Sequence, residues 1–341
     1  MTYEVIGISV LWLFLYGYLI VASVDFGAGF FSYYTKRNNK NHIIHNIIQR
    51  YLSPVWEVTN VFLVFFFIGV VGFFPSTAYY YGTALLIPGS VAIILLALRG
   101  SYYAFATYGA KESKFYTFLY GATGLLIPAS LSTVLTISEG GYISVDNGTV
   151  QLLYGELFTS IYSWGVVALA IVSVLFISAT FLTYYASRAK DEQALDLLRR
   201  YALTWSFPAI GMGIIVFFLL SQRNVEHYQN MLDLWWVFGL SVLAFIGAFL
   251  LILKRKSYGT AFIMVMIQYF TAFFGYGAAH LPYLLYPHLT IYDGFTNETM
   301  AISLIVAFVA GLLILIPSLY LLMKLFLFDA DYVEGNKHSG I

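Results

Sequence analysis

Cysteine is absent from this 341-residue chain, which excludes disulfides, thiolate metal sites and cysteine-held iron–sulfur clusters. Charge is scarce: 10% of residues are Asp, Glu, Lys or Arg, against roughly a quarter in a soluble domain. Long polar connections are also lacking, since no stretch between apolar runs exceeds about twenty-two residues, so no soluble domain fits. Residues 1–7 hold Glu4 but no Lys or Arg. They lack the basic start of a secretory signal peptide, and the first apolar run is expected to stay in the mature protein. The 17 basic and 17 acidic residues balance and are segregated by side rather than clustered into a basic groove, so no nucleic-acid partner is expected.

What remains is apolar. Hydrophobic residues make up 60% of the chain and aromatic ones 19%, and the mean hydropathy is +0.79. Runs of about 20 apolar residues, the length that crosses a bilayer, fall at roughly 8–33, 55–74, 79–98, 115–137, 160–186, 203–221, 234–253, 260–281 and 301–325. Backbone groups in lipid must pair within their own segment, and no period-2 pattern of ten-residue segments suggests a barrel, so each run is read as a helix. The expected architecture is all-α. Residues 1–341 form a single integral membrane domain of nine transmembrane helices, arranged as two four-helix bundles plus one peripheral helix.

The basic residues orient these spans. Lys36, Arg37, Lys40 and Arg50 lie in the first loop, and Arg99, Lys111 and Lys114 flank the third. The fifth loop carries Arg188, Lys190, Arg199 and Arg200, and the seventh Lys254, Arg255 and Lys256; Lys324 and Lys337 follow the last span. Of the 17 basic residues only Arg223 falls in an even-numbered loop, leaving 16 on one face. The positive-inside rule then puts the N-terminus outside and the C-terminus in the cytoplasm of a bacterial-type plasma membrane. The opposite loops are acidic or neutral, with Glu139, Asp146, Glu156, Asp293 and Glu298.

Two acids fall inside candidate spans. Asp25 sits in the run from Ile8 to Tyr34, eight or nine residues above the cytoplasmic end, roughly 12 Å at ~1.5 Å per residue. A carboxylate at that depth is costly, so it pairs, lines a wet cavity or exchanges protons. Gly27-Ala28-Gly29, just beyond it, offers a small-residue face for close helix approach. Glu57 lies one turn into the second span, after Ser53 as N-cap and Pro54 as first helical residue. An acid in a first turn is also simply favoured by the helix dipole. On the same side of the membrane, Glu57 and Asp25 in series form a candidate proton relay, with burial and mutual repulsion moving their titration towards neutrality. Arg99 closes the third span as a positive-inside anchor, or as a counter-charge to one of the acids. Of six histidines only His280 falls in a span, at its outer end, while His227 and His288 lie in outer loops. His42 and His45 share a basic inner loop at helical spacing, and His338 lies in the tail. A haem held within a helical bundle needs axial ligands from inside the spans, so no haem and no structural metal are expected in this chain.

With these residues placed, the chain resembles subunit II of the cytochrome bd quinol oxidases over nearly its whole length. Val24-Asp25-Phe26-Gly27-Ala28-Gly29 is similar to the family's Asp-x-Gly-x-Gly ending of span one. Pro54-Val55-Trp56-Glu57 followed by Val61 is similar to its Pro-x-Trp-Asp/Glu opening of span two. Leu96-Ala97-Leu98-Arg99-Gly100 resembles its Arg-bearing end of span three, and Leu289-Thr290-Ile291-Tyr292-Asp293 its Leu-Thr-Ile stretch. The chain departs from the family at Ala22-Ser23-Val24, where an extra Asp is common. It departs also at Thr59-Asn60 and at Ala104 and Ala106, which leaves fewer polar members for a relay.

The resemblance implies a heterodimer with a subunit I that bears haems b and d, oxidises quinol and reduces oxygen to water at haem d. A small single-span accessory subunit is a further partner it allows. This chain, binding no cofactor itself and not catalytic alone, would support subunit I and feed it cytoplasmic protons through Glu57 and Asp25. The alternative from another class is a proton-coupled secondary transporter with Asp25 as its coupling site.

Overall fold

The structure, a computed structural model, describes residues 2–38, 41–108, 114–146 and 149–324; of these, 41, 42, 45, 46, 49–58, 104–108, 114 and 323 are described by backbone alone. Helix α1 (Tyr3–Arg37) opens the chain and ends on Lys36 and Arg37, cations that suit the negative end of a helix dipole. It is followed by α2 (Asn41–Phe73), α3 (Pro75–Ala84), α4 (Leu86–Tyr108), α5 (Lys114–Leu131) and α6 (Thr133–Ser138). A hairpin of β1 (Ile143–Asp146) and β2 (Thr149–Leu152) and the short α7 (Tyr154–Thr159) lead to α8 (Ile161–Arg188). Then come α9 (Glu192–Arg223), α10 (Val225–Asp233), α11 (Trp235–Leu253) and α12 (Tyr258–His280). A second hairpin, β3 (Tyr283–Leu285) with β4 (Leu289–Thr290), precedes α13 (Glu298–Met323).

Local chemistry sets several of these boundaries. Asp191, Asn224 and Asn297 accept the backbone N–H three residues on, capping α9, α10 and α13. The predicted third span needs correction. The apolar run 79–98 is interrupted at Leu85, and Pro75 and Pro88 each sit in the first turn of a separate helix, where a missing N–H costs nothing. The long helix therefore starts at Leu86 and continues nine residues past Arg99, to Tyr108. Arg99 is inside a helix rather than at its end.

Eight helical stretches among the described residues are long and apolar enough to cross a membrane, and the described part of α2 adds a shorter apolar stretch, Thr59–Phe73. Helix α1 packs against α2, α5 and α8; α4 lies on α5. On the other side α8 packs against α9 and α12, and α11 against α12. Helix α13 rests on α1 and α2. The α1–α8 contact thus joins two groups of four long helices, with α13 outside the first. Large apolar side chains such as Ile93, Trp235, Leu313 and Ile314 are exposed around the perimeter, as a surface solvated by lipid requires. The hairpins were not expected. They pair antiparallel, Ile143 opposite Leu152 and Tyr283 opposite Thr290, and Tyr142, Ile143, Leu152, Leu285 and Leu289 share a small core with Ala84 and Ile137.

Candidate functional site

Asp25 is buried at the centre of the first group of helices, where α1 meets α4, α5 and α8. Close backbone approach makes the room. A Cβ on Gly27 would lie 2.3 Å from Ser178 Cβ of α8, and one on Gly124 of α5 would lie 2.2 Å from the Phe26 carbonyl oxygen. The small-residue face therefore lets two helices pack against α1 at once, and the Ser178 hydroxyl donates to the Val24 carbonyl at 2.8 Å across one of these contacts.

The third long helix supplies the charge that answers Asp25. Arg99, 1% exposed, donates from Nε to Asp25 Oδ2 at 2.8 Å and from Nη2 to the Asp25 carbonyl at 2.7 Å. Its Nη1 donates to the Tyr120 carbonyl at 2.9 Å and to Thr123 Oγ1 at 3.2 Å. The guanidinium lies over the Tyr120 ring, 4.2 Å from its centroid, with Phe26 at 5.2 Å. The other carboxylate oxygen, Oδ1, accepts from the Tyr103 hydroxyl and, at 3.3 Å, from Tyr120. Each charge is thus matched and each carboxylate oxygen bonded, the condition under which a buried ion pair is tolerated. Arg99 answers Asp25 from inside α4, so its description as a terminal anchor is corrected. The Glu57 side chain lies outside the described residues, as do those of His42, His45 and His338. Only its backbone, in α2, is seen.

A second polar cluster lies at the opposite, basic-poor end of the helices, and the sequence reading did not assemble it. Glu139, which directly follows α6, is 1% exposed rather than solvated in a loop. Its carboxylate accepts from the Asn224 amide at 3.0 Å and from the Tyr276 hydroxyl, and lies 2.9 and 3.0 Å from His227 Nδ1. His227 sits on α10 and is buried, held there by the Asn224 cap, which accepts from the His227 backbone N–H at 3.0 Å. His280, the last residue of α12, brings Nδ1 to 3.3 Å from His227 Nδ1. Burial pushes the Glu139 carboxyl up, but the His227 hydrogen bond, the charges of His280 and His227, and the Tyr276 hydroxyl outweigh it and hold the group below its ordinary value. Beside them Arg223 donates to the Gly140 carbonyl and stacks on Tyr142, 3.9 Å from the ring centroid. These side chains come from positions up to 141 residues apart (Glu139 to His280), so spacing gave no cue. The one local signal was Asn224, an N-cap three residues before His227.

Comparison with known proteins follows the first cluster. Residues 3–326 match the family model described as cytochrome bd terminal oxidase subunit II. A protein of Bacillus subtilis (strain 168) that carries the name of a cytochrome bd menaquinol oxidase subunit II is 35% identical over 344 residues, covering 98% of each chain. A chain of the solved bd oxidase from Geobacillus thermodenitrificans is 63% identical, with a TM-score of 0.85 over 96% of this chain and 100% of that one. No transporter is among these matches, and the coupling-site alternative gains no support.

Proposed function

The chain belongs to the cytochrome bd terminal oxidase subunit II family, and from that premise we propose that it braces subunit I and passes protons to it through Asp25. Subunit II is part of a multi-pass membrane oxidoreductase complex that oxidises quinol, with subunit I as partner and haems in the complex. The proposal concerns the division of labour within it. Subunit I holds the haems and reduces oxygen to water. This chain holds none, lies in a bacterial plasma membrane with its basic loops in the cytoplasm, and its quinol is menaquinol, as in the name of the Bacillus subtilis relative.

One observation carries the proton role: a buried carboxylate in contact with two tyrosine hydroxyls and one guanidinium. Reducing oxygen consumes protons, and hydroxyls bonded to a carboxylate form a chain along which a proton can hop. Tyr103 and Tyr120 are the neighbouring links, their hydroxyls 3.5 Å apart. Arg99 offsets the charge of Asp25 between transfers, so that the carboxylate waits as an acceptor without an uncompensated charge in lipid. Glu57, in the α2 segment nearer the basic loops, is the proposed intake. Support for a haem-free chain comes from the buried histidines. His227 and His280 face Glu139, Tyr276 and each other, so their ring nitrogens are turned to one another and to these groups. That pair does not fit the axial ligation of a haem.

The test is Asp25→Asn in the purified oxidase. Oxygen consumption with quinol, and proton uptake from the cytoplasmic side, both normalised to the haem-loaded complex, are expected to fall about 10²-fold or more, the range a positioned proton carrier supplies. Wild-type turnover and uptake in that variant would sink the proton role and leave only the bracing one.

A further inference from the structure

Glu139, His227 and His280 are not used by the proposed proton path, and their geometry leaves an unanswered problem. The Nε2 of His227 lies 3.1 Å from the Tyr276 carbonyl oxygen. A carbonyl only accepts, so Nε2 carries the hydrogen. In the neutral ring Nδ1 is then a bare lone pair, and it points at both oxygens of the Glu139 carboxylate at 2.9 and 3.0 Å. Two acceptors at that distance need a cation between them.

A proton on His227 Nδ1 would satisfy Glu139 but strand His280. The Nδ1 of His280 is 3.3 Å from His227 Nδ1 and 3.7 Å from Glu139 Oε1, and its Nε2 has no hydrogen-bond partner although the ring is buried. A hydrogen on either nitrogen of His280 then finds no acceptor within hydrogen-bond reach, since Nε2 has no partner and Nδ1 lies 3.7 Å from Glu139 Oε1, so protons alone leave this ring unsatisfied. A metal ion satisfies it.

We propose that Glu139, His227 and His280 bind one divalent transition-metal ion, with zinc the best fit to the donor set. The three ligating atoms all lie within 4.8 Å of one another, the one such group of three among the described residues. Zinc bound at about 2.0–2.1 Å in tetrahedral geometry sets its ligand atoms about 3.3 Å apart; the observed separations of 2.9, 3.3 and 3.7 Å bracket that spacing. Two imidazoles and a carboxylate are a known zinc donor set that leaves a fourth position open. The outer partners also fit. His227 donates its other ring N–H to a backbone carbonyl, while Asn224 and Tyr276 donate to the carboxylate, as metal-ligating groups are usually oriented. Glu226, an exposed acid, is among the residues lining the cleft beside the histidines and adds negative charge near the three ligands. A bound ion would tie the end of α6 to α10 and α12.

The experiment uses the whole oxidase complex, incubated with a zinc salt, desalted, and assayed for zinc by mass spectrometry per copy of this chain. About one equivalent is expected in the parent protein. In Glu139→Gln and His280→Gln the affinity is expected to fall by at least the ~10–100-fold that loss of an outer partner costs, with haem spectra unchanged. A third variant, His280→Cys, keeps a ligand and brings the only sulfhydryl to a chain without cysteine. Zinc X-ray absorption should then show a new sulfur at about 2.3 Å, a readout independent of oxidase activity. No zinc above background in the parent complex would overturn the proposal. So would undiminished zinc in both glutamine variants, or the absence of the new sulfur shell where the cysteine variant assembles. Should none of the variants assemble, a zinc environment in the parent without two imidazoles would be equally fatal.

Discussion

Replacing Arg99 with methionine tests the charge pairing at the centre of the molecule. The guanidinium is 1% exposed and makes four hydrogen bonds, two of them to Asp25. Without it the Asp25 carboxylate keeps two tyrosine donors but no cation. Breaking a buried pair on one side costs about 3–5 kcal/mol, because the remaining charge is uncompensated. Removing both charges, as in Asp25→Leu with Arg99→Met, should restore much of that loss. The residual cost is the loss of the Asp25 carboxylate as acceptor for the Tyr103 and Tyr120 hydroxyls and of the guanidinium as donor to the Tyr120 carbonyl, about 1–3 kcal/mol for lost buried hydrogen bonds. Stability is read as resistance of the haem absorbance and of the assembled complex to heat and denaturant. The double variant is expected to outlast Arg99→Met yet turn over slowly, since the proton carrier is gone. A double variant no more stable than the single one would refute the charge argument. A stable double variant with full oxygen consumption would refute the proton-transfer argument and leave the pair a structural one.

The other expectations concern packing and capping. Gly124→Ala places a methyl 2.2 Å from the Phe26 carbonyl and must push α5 off α1; a loss of about 1–3 kcal/mol is expected from overpacking, visible as a lower melting temperature of the complex. Asp191→Ala removes the side chain that accepts the Ala194 N–H at 3.0 Å at the start of α9. That should cost about 1 kcal/mol with turnover untouched, and a change in oxidase rate without a change in stability would contradict the capping role.

Comparison of the two clusters explains what was legible in the residues. Asp25 announced itself because an acid within an apolar run has few affordable explanations, and Gly27-Ala28-Gly29 marked the place where helices close in. The partner of Asp25 was harder to see. Arg99 reads as an anchor if the third span ends at residue 98, and the break at Leu85 that shifts this span depends on how Pro75 and Pro88 start separate helices. The Glu139 cluster was invisible for a different reason. Its acid follows a short helix, one histidine sits on a nine-residue helix and the other ends a long one. Each taken alone looks like an ordinary polar residue at a membrane surface.

Composition and hydropathy by themselves determined that this is a helical membrane protein, because lipid allows a chain only helices or a closed barrel to satisfy its backbone and no period-2 pattern supports a barrel. The same sequence carried the family resemblance and the solitary acid at membrane depth. Only the tertiary structure decided that Asp25 pairs with Arg99 through two tyrosines, and that Glu139 meets two histidines at the other end. Those contacts join residues 74 and up to 141 positions apart, and such pairings are selected by how close the glycines let the helices come and by the need of each buried charge for a partner.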